Sequence, residues 1–211
     1  MAIMLSIIFI VAGYIFGAIP VGYVVARLYG VDVTASGSGR IGGTNVLRSA
    51  GVFAAGLTVL GDVLKGLIPV YIVSTLGWNP LTIALTGSAA VLGHNYSIFL
   101  GFRGGVGAGT AIGVLSALSF PIGLITATCG LIALVISRYA SILSTTIAIS
   151  GLIFLSIWAW LDYIPYAYIV TGVLNLILML YALRENFARL RAGTERRIGQ
   201  KTENIVKISG Q

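Results

Sequence analysis

The amino-acid sequence predicts an all-α integral membrane protein with about seven transmembrane helices, on the evidence of its composition and of its apolar runs. Of its 211 residues, 57% are hydrophobic and 9% are charged, and the mean hydropathy is +1.00. So few polar side chains cannot cover a soluble globule of this size. Helices are favoured because lipid requires each crossing to satisfy its own backbone hydrogen bonds.

Seven apolar runs supply these helices, in the order 4–29, 52–76, 80–93, 108–120, 121–137, 140–161 and 163–183. The runs 80–93 and 108–120 fall short of the ~20 residues that normally cross the hydrocarbon core. If these two were half-helices flanking the loop between them, five full spans would remain. We expect seven spans, with the third helix continuing towards Leu100.

The positive charges predict the orientation. Lys and Arg residues fall in alternate connections and in the tail, namely Arg27, Arg40, Arg48, Arg103, Arg138 and seven of the thirteen from Arg184 onward. The positive-inside rule then places the N-terminus outside and the C-terminus, with both glycine-rich loops, in the cytoplasm. The net charge of +7 is accordingly a topology signal that favours contact with anionic lipid and argues against nucleic-acid binding.

One polytopic domain covers 1–211, because no linker divides the chain before a basic cytoplasmic tail at 184–211. The tail opens with Leu183, Phe187 and Leu190 on one helical face, which predicts a short amphipathic helix at the membrane interface. Gly193 is the expected end of that helix. Beyond Gly199 the sequence is polar, and we expect a frayed end.

A glycine-rich, cationic loop at residues 37–48 separates the first two apolar runs. Glycine leaves backbone N–H groups open, and with guanidinium groups beside them they bind anions well. The spacing G-x-G-x-x-G is present, but no strand precedes it and no βαβ unit follows, which argues against dinucleotide binding. A flexible turn is the plain alternative. We expect an anion site formed by Gly37, Ser38, Gly39, Gly42, Thr44, Asn45 and Arg48, the last at the start of the next span.

A second loop of the same kind spans 94–107. No Lys followed by Ser or Thr comes after its last glycine, which excludes a nucleoside triphosphatase P-loop. Two anion cradles on one membrane face indicate a phosphorylated substrate. The candidate residues here are His94, Arg103, Gly104, Gly105 and Gly107.

Two charged side chains lie inside the second apolar run, and a histidine follows the third run directly. Asp62 and Lys65 lie at i, i+3, and the cost of burying either alone predicts that they pair with each other or with a buried arginine. That pair either supports the fold or positions a substrate-binding arginine. His94 is the sole histidine, so a metal site lacks ligands, and no Ser-His-Asp triad is indicated. Orienting the glycine loop is favoured for His94 over acid–base chemistry.

These loops resemble two motifs of the bacterial acyl-phosphate:glycerol-3-phosphate acyltransferases, the PlsY family, over nearly the whole chain. The family's G-S-G-N-x-G-A-T-N-x-x-R is matched by Gly37-Ser38-Gly39, Gly42, Thr44-Asn45 and Arg48. Its G-H-x-x-P-x-F and F-K-G-G-K-G are matched by Gly93-His94, Phe99, Phe102, Gly104-Gly105 and Gly107. Further likenesses are Asp62 to Gly66, Arg138-Tyr139 with Ser141, and Asn186 with Arg189, Gly193 and Glu195.

The resemblance implies a seven-helix enzyme of the bacterial inner membrane, with its active site on the cytoplasmic face. It would transfer a fatty acyl group from acyl phosphate to the 1-hydroxyl of glycerol 3-phosphate, giving lysophosphatidic acid and requiring no cofactor. Both substrates carry a phosphate, in agreement with two cradles. The resemblance further suggests Ser38, Arg48 and Asn186 as catalytic residues, supported by Asp62, Lys65, Ser141 and Glu195.

The chain departs from the family pattern at six positions. They are Arg40 for Asn, Gly43 for Ala, Ser97 for Pro, Arg103 for Lys, Val106 for the Lys of G-G-K-G, and Leu183 for a His. The last two remove residues of the family's catalytic set. A catalytically weakened or repurposed paralogue that binds acyl phosphate or another phosphorylated acceptor is therefore an alternative. A small organic-anion transporter is a further one, disfavoured because the charges are confined to one face.

Overall fold

The computed structural model describes residues 1–200 and 205–208. Within them the chain forms ten α-helices and no β-sheet. The helices are α1 Ala2–Ala18, α2 Val21–Leu28, α3 Gly43–Ala50, α4 Val52–Thr75, α5 Pro80–Asn95, α6 Ala108–Leu118, α7 Phe120–Ser137, α8 Ala140–Trp160, α9 Tyr168–Ala182 and α10 Arg184–Arg191. This confirms the predicted all-α class.

Four stretches are long and apolar enough to cross a membrane, by length and composition: Ala2–Leu28, Val52–Thr75, Phe120–Ser137 and Ala140–Trp160. A fifth results if α9 and α10, which meet at 54°, are taken as one span. The first stretch is broken at Ile19 and Pro20, between α1 and α2. Proline lacks a backbone N–H and is typical of such a break.

The first anion loop carries a helix of its own. Arg48 does not begin the next span as predicted, because it lies in the last turn of α3 and α4 starts after a separating Gly51. Gly51 has a φ of 92°, a left-handed value that glycine adopts without strain. Gly51 therefore separates α3 from the membrane helix.

The interior helices α5 and α6 are shorter than a full crossing. The prediction that the third helix continues towards Leu100 was wrong, because α5 ends at Asn95 and a 3₁₀ turn occupies Ile98–Leu100. At the start of α6, a Cβ added to Gly109 would lie 3.1 Å from the Asp62 Cβ. Asp62 is about 15 Å along α4 from Val52, at 1.5 Å per residue. Helix α6 therefore begins partway along α4. The second loop spans the remaining distance to that end of the bundle.

Glycines let α1 and α5 approach until their backbones touch. A Cβ on Gly17 would collide with the carbonyl of Ala90, and one on Gly93 would collide with the Tyr14 oxygen and lie 2.7 Å from the Ala18 nitrogen. The small-xxx-small pair Gly13 and Gly17 is therefore a helix contact, as its spacing predicts. This contact sets the position of His94, which follows Gly93 directly.

Replacing Gly93 with alanine is expected to lower the free energy of unfolding by about 1–3 kcal/mol, the usual cost of overpacking. The added methyl meets backbone atoms, which cannot rotate away. Gly56→Ala is the matched control, because a Cβ on Gly56 of α4 meets nothing within 4 Å. Denaturation in detergent measures both variants. Equal stability of Gly93→Ala and Gly56→Ala would contradict the backbone contact.

The chain end folds back over one end of the bundle, which we call the cationic end because the arginine-rich loops lie there. The tail helix was predicted correctly, and Gly193 follows it with a φ of 70°. The prediction of a frayed end was wrong for residues 205–208. Val31 and Lys207 form an isolated antiparallel bridge, and the Asp32 N–H donates to the Val206 oxygen at 3.0 Å. Residues 201–204 and 209–211 lie outside the described part of the chain.

Candidate active site

Asn45 organises the first loop. The two N–H groups of its Nδ2 are shared among three carbonyl oxygens, those of Val33 at 3.1 Å, Ser36 at 3.0 Å and Arg40 at 2.8 Å. Its Oδ1 accepts from the backbone N–H of Ser38 at 3.1 Å. The sequence suggested substrate binding for Asn45, but its buried amide already bonds within the loop. This arrangement indicates that Asn45 shapes the cradle.

The glycines of the first loop have conformations that suit a tight cradle. Gly37 and Gly39 have φ of 60° and 69°, which favours glycine over residues with a Cβ. Gly42 is the N-cap of α3, and Thr44 lies in the first turn of that helix. Ser38, between the two left-handed glycines, is exposed. The loop therefore presents the Ser38 side chain to solvent from a backbone that Asn45 fixes.

Arg48 reaches from α3 to the tail. Its Nη2 donates to the carbonyl oxygens of Arg196 at 3.1 Å and Arg197 at 3.3 Å. Its Nε is buried and has no hydrogen-bond partner among the residues that the structure describes. Burial lowers the pKa of the guanidinium, and Arg196 lowers it further, whereas Glu195 raises it. The two bonds at Nη2 thus hold the Arg48 guanidinium in place, and its Nε–H remains available as a donor.

Asn186 and Glu195 lie together at the same place. Asn186 Nδ2 donates to Glu195 Oε1 at 2.7 Å, and Arg189 Nε donates to Glu195 Oε2 at 2.8 Å. Within residues 1–200 and 205–208, the buried Oδ1 of Asn186 has no donor. Glu195 is followed directly by Arg196, whose carbonyl holds Arg48. Consecutive tail residues therefore bring two predicted catalytic side chains to one site.

Arg40 connects the first loop to the end of α9. Its Nη2 donates to the Ala182 carbonyl at 2.7 Å and lies 3.9 Å from Glu185 Oε2. The neighbouring residue, Leu183, is 1% exposed. Burial lowers the pKa of Arg40, and Glu185 opposes that shift. Arg40 was not among the anion-site residues predicted from the sequence.

The second loop is wrapped around His94. The Gly105 N–H donates to the His94 carbonyl at 3.1 Å. A Cβ on Gly105 would collide with His94 Nε2, and one on Gly104 would collide with the His94 carbonyl and lie 2.6 Å from that of Asn95. Gly107, with a φ of 95°, precedes α6 as its N-cap. The imidazole therefore packs on the glycine run, in agreement with an orienting role.

His94 also joins the predicted ion pair. Lys65 Nζ lies 3.0 Å from Asp62 Oδ1, and His94 Nδ1 lies 3.4 Å from the same oxygen. All three side chains are buried. Lys65 Nζ also donates to the Ile19 carbonyl at 2.9 Å, at the break between α1 and α2. The pair that the sequence predicted is present, and it connects α4 to α5 and to the break between α1 and α2.

The tip of the second loop is apolar and exposed. Ile98, Phe99 and Phe102 are 48%, 56% and 61% exposed, and Arg103 beside them is also exposed. Ser97 secures the loop base, because its hydroxyl donates to the Ala18 carbonyl at 2.6 Å. A proline at position 97 could not form that bond. Leu100 packs against the cluster of Val33, Ile41 and Val46, which brings the two loops together.

Val106 and Leu183, where the resembled pattern has Lys and His, are packing residues. Val106 packs against the main hydrophobic core, and Leu183 is fully buried. Gly43, where the family has alanine, faces Val59, whose Cγ2 would lie 2.6 Å from an added Cβ. Ser141 is buried at the start of α8, and its hydroxyl has no hydrogen-bond partner in the described part of the chain.

The sequence matches a known family. The family model described as Glycerol-3-phosphate acyltransferase matches residues 7–193. A glycerol-3-phosphate acyltransferase of Rubrobacter xylanophilus is 40% identical over 200 residues, which cover 94% of this chain and 98% of the relative. One of Geobacter sulfurreducens is 42% identical over 193 residues, with 91% and 97% covered. One of Thermus thermophilus is 41% identical over 190 residues, with 90% and 94% covered.

Solved structures agree in fold. The crystal structure of PlsY (YgiH), described as an integral membrane glycerol 3-phosphate acyltransferase in its glycerol 3-phosphate form, superposes with a TM-score of 0.84. That protein is 36% identical, with 92% of this chain and 96% of the other covered. Its lysophosphatidic acid form gives a TM-score of 0.82 at 36% identity, with 92% and 95% covered. Sequence and fold together establish that this chain belongs to the glycerol-3-phosphate acyltransferase family of integral membrane proteins.

Proposed function

We propose that this protein transfers a fatty acyl group from acyl phosphate to the 1-hydroxyl of sn-glycerol 3-phosphate. The observation that carries the proposal is the convergence of Arg48 and Asn186 on the Glu195-Arg196 segment, each with a buried polar atom that has no hydrogen-bond partner among the described residues. Such atoms are costly to leave unpaired, and a bound substrate would pair them. The glycerol 3-phosphate and lysophosphatidic acid forms of the PlsY structure support this substrate and product.

The chemistry needs no covalent enzyme intermediate, because an acyl phosphate is already activated. The 1-hydroxyl oxygen attacks the carbonyl carbon, the new ester bond forms, and the carbon–oxygen bond to phosphate breaks. The departing phosphate keeps the electron pair, and one of its oxygens takes the hydroxyl proton, so no protein base is required. Positioning of the two reactants can supply about 7–11 kcal/mol of the barrier in favourable cases.

We assign the residues by what each atom can do. Arg48 and the N–H group of Gly37 hold phosphate, as charge-assisted donors do well. The free Asn186 Oδ1 accepts from the acceptor hydroxyl and aims its oxygen. The exposed Ser38 hydroxyl donates to the reacting carbonyl, where negative charge develops in the transition state.

The second loop receives the acyl phosphate in this proposal. Its exposed Ile98, Phe99 and Phe102 suit an acyl chain that arrives from the lipid, and Arg103 lies beside the glycines that would cradle the phosphate. Gly104, Gly105 and Gly107 let the loop backbone pack closely on His94 and Asn95, with His94 as an orienting side chain. The buried Asp62 and Lys65 support that histidine.

The proposed topology has seven crossings with the N-terminus outside. The stretch Ala2–Leu28 and helices α4 to α9 provide them, and the loops and tail lie in the cytoplasm, at the inner membrane of a bacterial cell. The clustering of arginines at the cationic end supports this orientation. It also exposes the site to water-soluble glycerol 3-phosphate.

The test is release of inorganic phosphate by the purified protein from palmitoyl phosphate, with and without glycerol 3-phosphate. We expect release that requires the acceptor and falls at least about 10-fold in Ser38→Ala, the usual effect of losing one useful hydrogen bond. Ser156→Ala is the matched control, because its hydroxyl donates to the Leu152 carbonyl of its own helix. Folded protein that shows no acceptor-dependent release would favour the repurposed paralogue.

A further inference from the structure

We propose that Arg40 binds the phosphate group of the acceptor, glycerol 3-phosphate. This inference rests on the proposed function and adds to it a cation that the family pattern has as asparagine. Arg40 lies two residues after Ser38 in the first loop, and its side chain is 22% exposed. It would hold the acceptor at the end distant from the reacting hydroxyl.

Two hydrogen bonds fix the position of Arg40. Its carbonyl oxygen accepts from Asn45 Nδ2 at 2.8 Å, which fastens its backbone to the hub of the loop. Its Nη2 donates to the Ala182 carbonyl at 2.7 Å, 142 residues along the chain. Because the guanidinium is planar, the bond at Nη2 also sets the direction of Nη1. The side chain is therefore pre-oriented, which lowers the entropic cost of binding a ligand.

The other terminal nitrogen is left without a protein acceptor. Arg40 Nη1 is buried and has no hydrogen-bond partner in the described residues. The carboxylate oxygen of Glu185 is 3.9 Å from Nη2, which is too long for a hydrogen bond. A buried, charged N–H group without an acceptor is costly, and a phosphate oxygen is the ligand that guanidinium binds best.

The surroundings indicate the phosphate of the water-soluble substrate. Ala182 ends α9 one turn before Asn186, so Arg40 meets the same helical junction that carries the proposed hydroxyl-orienting amide. Ser38 and Glu185 nearby are exposed to solvent. The exposed apolar side chains lie on the other loop, at Phe99 and Phe102. Glycerol 3-phosphate fits the polar side, and the acyl phosphate fits the apolar one.

The competing interpretation is that Arg40 only ties the first loop to α9. Both interpretations predict some loss in a variant without the guanidinium, so the test must separate affinity for each substrate from turnover and stability. Arg40→Gln removes the charge, and Arg40→Lys keeps it without the fork geometry. Arg191→Gln is the matched control, because Arg191 is an exposed arginine of α10 at the same end of the bundle.

We expect Arg40→Gln to raise the KM for glycerol 3-phosphate about 10-fold or more, the effect of losing one charge-assisted hydrogen bond. The KM for palmitoyl phosphate should stay at its wild-type value, and Arg40→Lys should recover part of the affinity. An unchanged KM for glycerol 3-phosphate, or an equal rise for both substrates together with lower stability, would overturn the proposal. A rise confined to palmitoyl phosphate would overturn it too.

Binding without turnover separates this inference from the proposed reaction. Thermal stabilisation of the protein by glycerol 3-phosphate, with glycerol as the phosphate-free comparison, measures acceptor binding directly. If wild type is stabilised but releases no phosphate from palmitoyl phosphate, the reaction is wrong, and loss of that stabilisation in Arg40→Gln still supports Arg40. If glycerol 3-phosphate does not stabilise the wild type, the role of Arg40 fails as well.

Discussion

Replacing Asp62 with asparagine is expected to destabilise the protein by about 3–5 kcal/mol, the usual cost of breaking a buried ion pair. The carboxylate lies 3.0 Å from Lys65 Nζ, and the two side chains are 5% and 3% exposed. Asparagine keeps the shape but removes the charge, so the Lys65 ammonium stays in the bundle without a counter-ion. Chemical denaturation in detergent measures the loss.

Two further variants identify the charge as the cause. Asp162→Asn makes the same chemical change at an exposed residue whose φ of 59° asparagine tolerates, and it should have a negligible effect. Asp62→Asn combined with Lys65→Met should regain part of the stability, because it removes the buried ammonium that Asp62→Asn alone leaves without a counter-ion. A single variant Asp62→Asn as stable as wild type would show that the pair is not structural.

Replacing Arg48 with alanine is expected to lower kcat/KM by about 100- to 1,000-fold, the range found when a preorganised transition-state donor is removed. The guanidinium combines a buried Nε that has no partner within residues 1–200 and 205–208 with an Nη2 held by two tail carbonyls. Arg48→Lys should recover little, because an ammonium cannot reproduce the fork. Phosphate release at varied concentrations of both substrates gives the constants.

Arg48→Ala also removes the two bonds from Arg48 to the tail carbonyls. A separate control must therefore measure the effect of loosening the tail. Arg197→Gln removes the bond from Arg197 Nε to the Tyr139 hydroxyl at 3.1 Å and leaves Arg48 in place. That exposed contact should matter by no more than a factor of about three. If Arg197→Gln lost as much activity as Arg48→Ala, Arg48 would act by holding the tail and not by binding phosphate.

The sequence predicted the class of fold, both loops and the Asp62–Lys65 pair, because each depends on a local property. Hydrophobic runs, glycine spacing and the cost of burying a lone charge are all visible along the chain. The separate helix α3 was missed although Gly51 gave a stop signal. Pro20 likewise marked the break between α1 and α2.

Other features could not be read from local patterns. Asn45 looked like a ligand for substrate, and its role as hub depends on carbonyls that meet its side chain only after the loop closes. The bond from Arg40 to Ala182 joins positions 142 residues apart. Such contacts come from tertiary closure, which a single sequence does not display. The end of the chain was predicted to be polar, although Ile205, Val206 and Ile208 are β-branched apolar residues of the kind that favours pairing such as that of Lys207 with Val31.

The pairing of the chain end with the first loop imposes an order in time on biosynthesis. The Val206 N–H donates to the Ser36 hydroxyl at a separation of 170 residues, and Arg48 finds its carbonyl partners at positions almost as late. At about 5–20 residues per second, translation would take about 10–35 s to add that length. The contacts of the first loop are therefore complete only after most of the chain has been synthesised. A product truncated by a premature stop would insert into the membrane with its anion cradle unfinished.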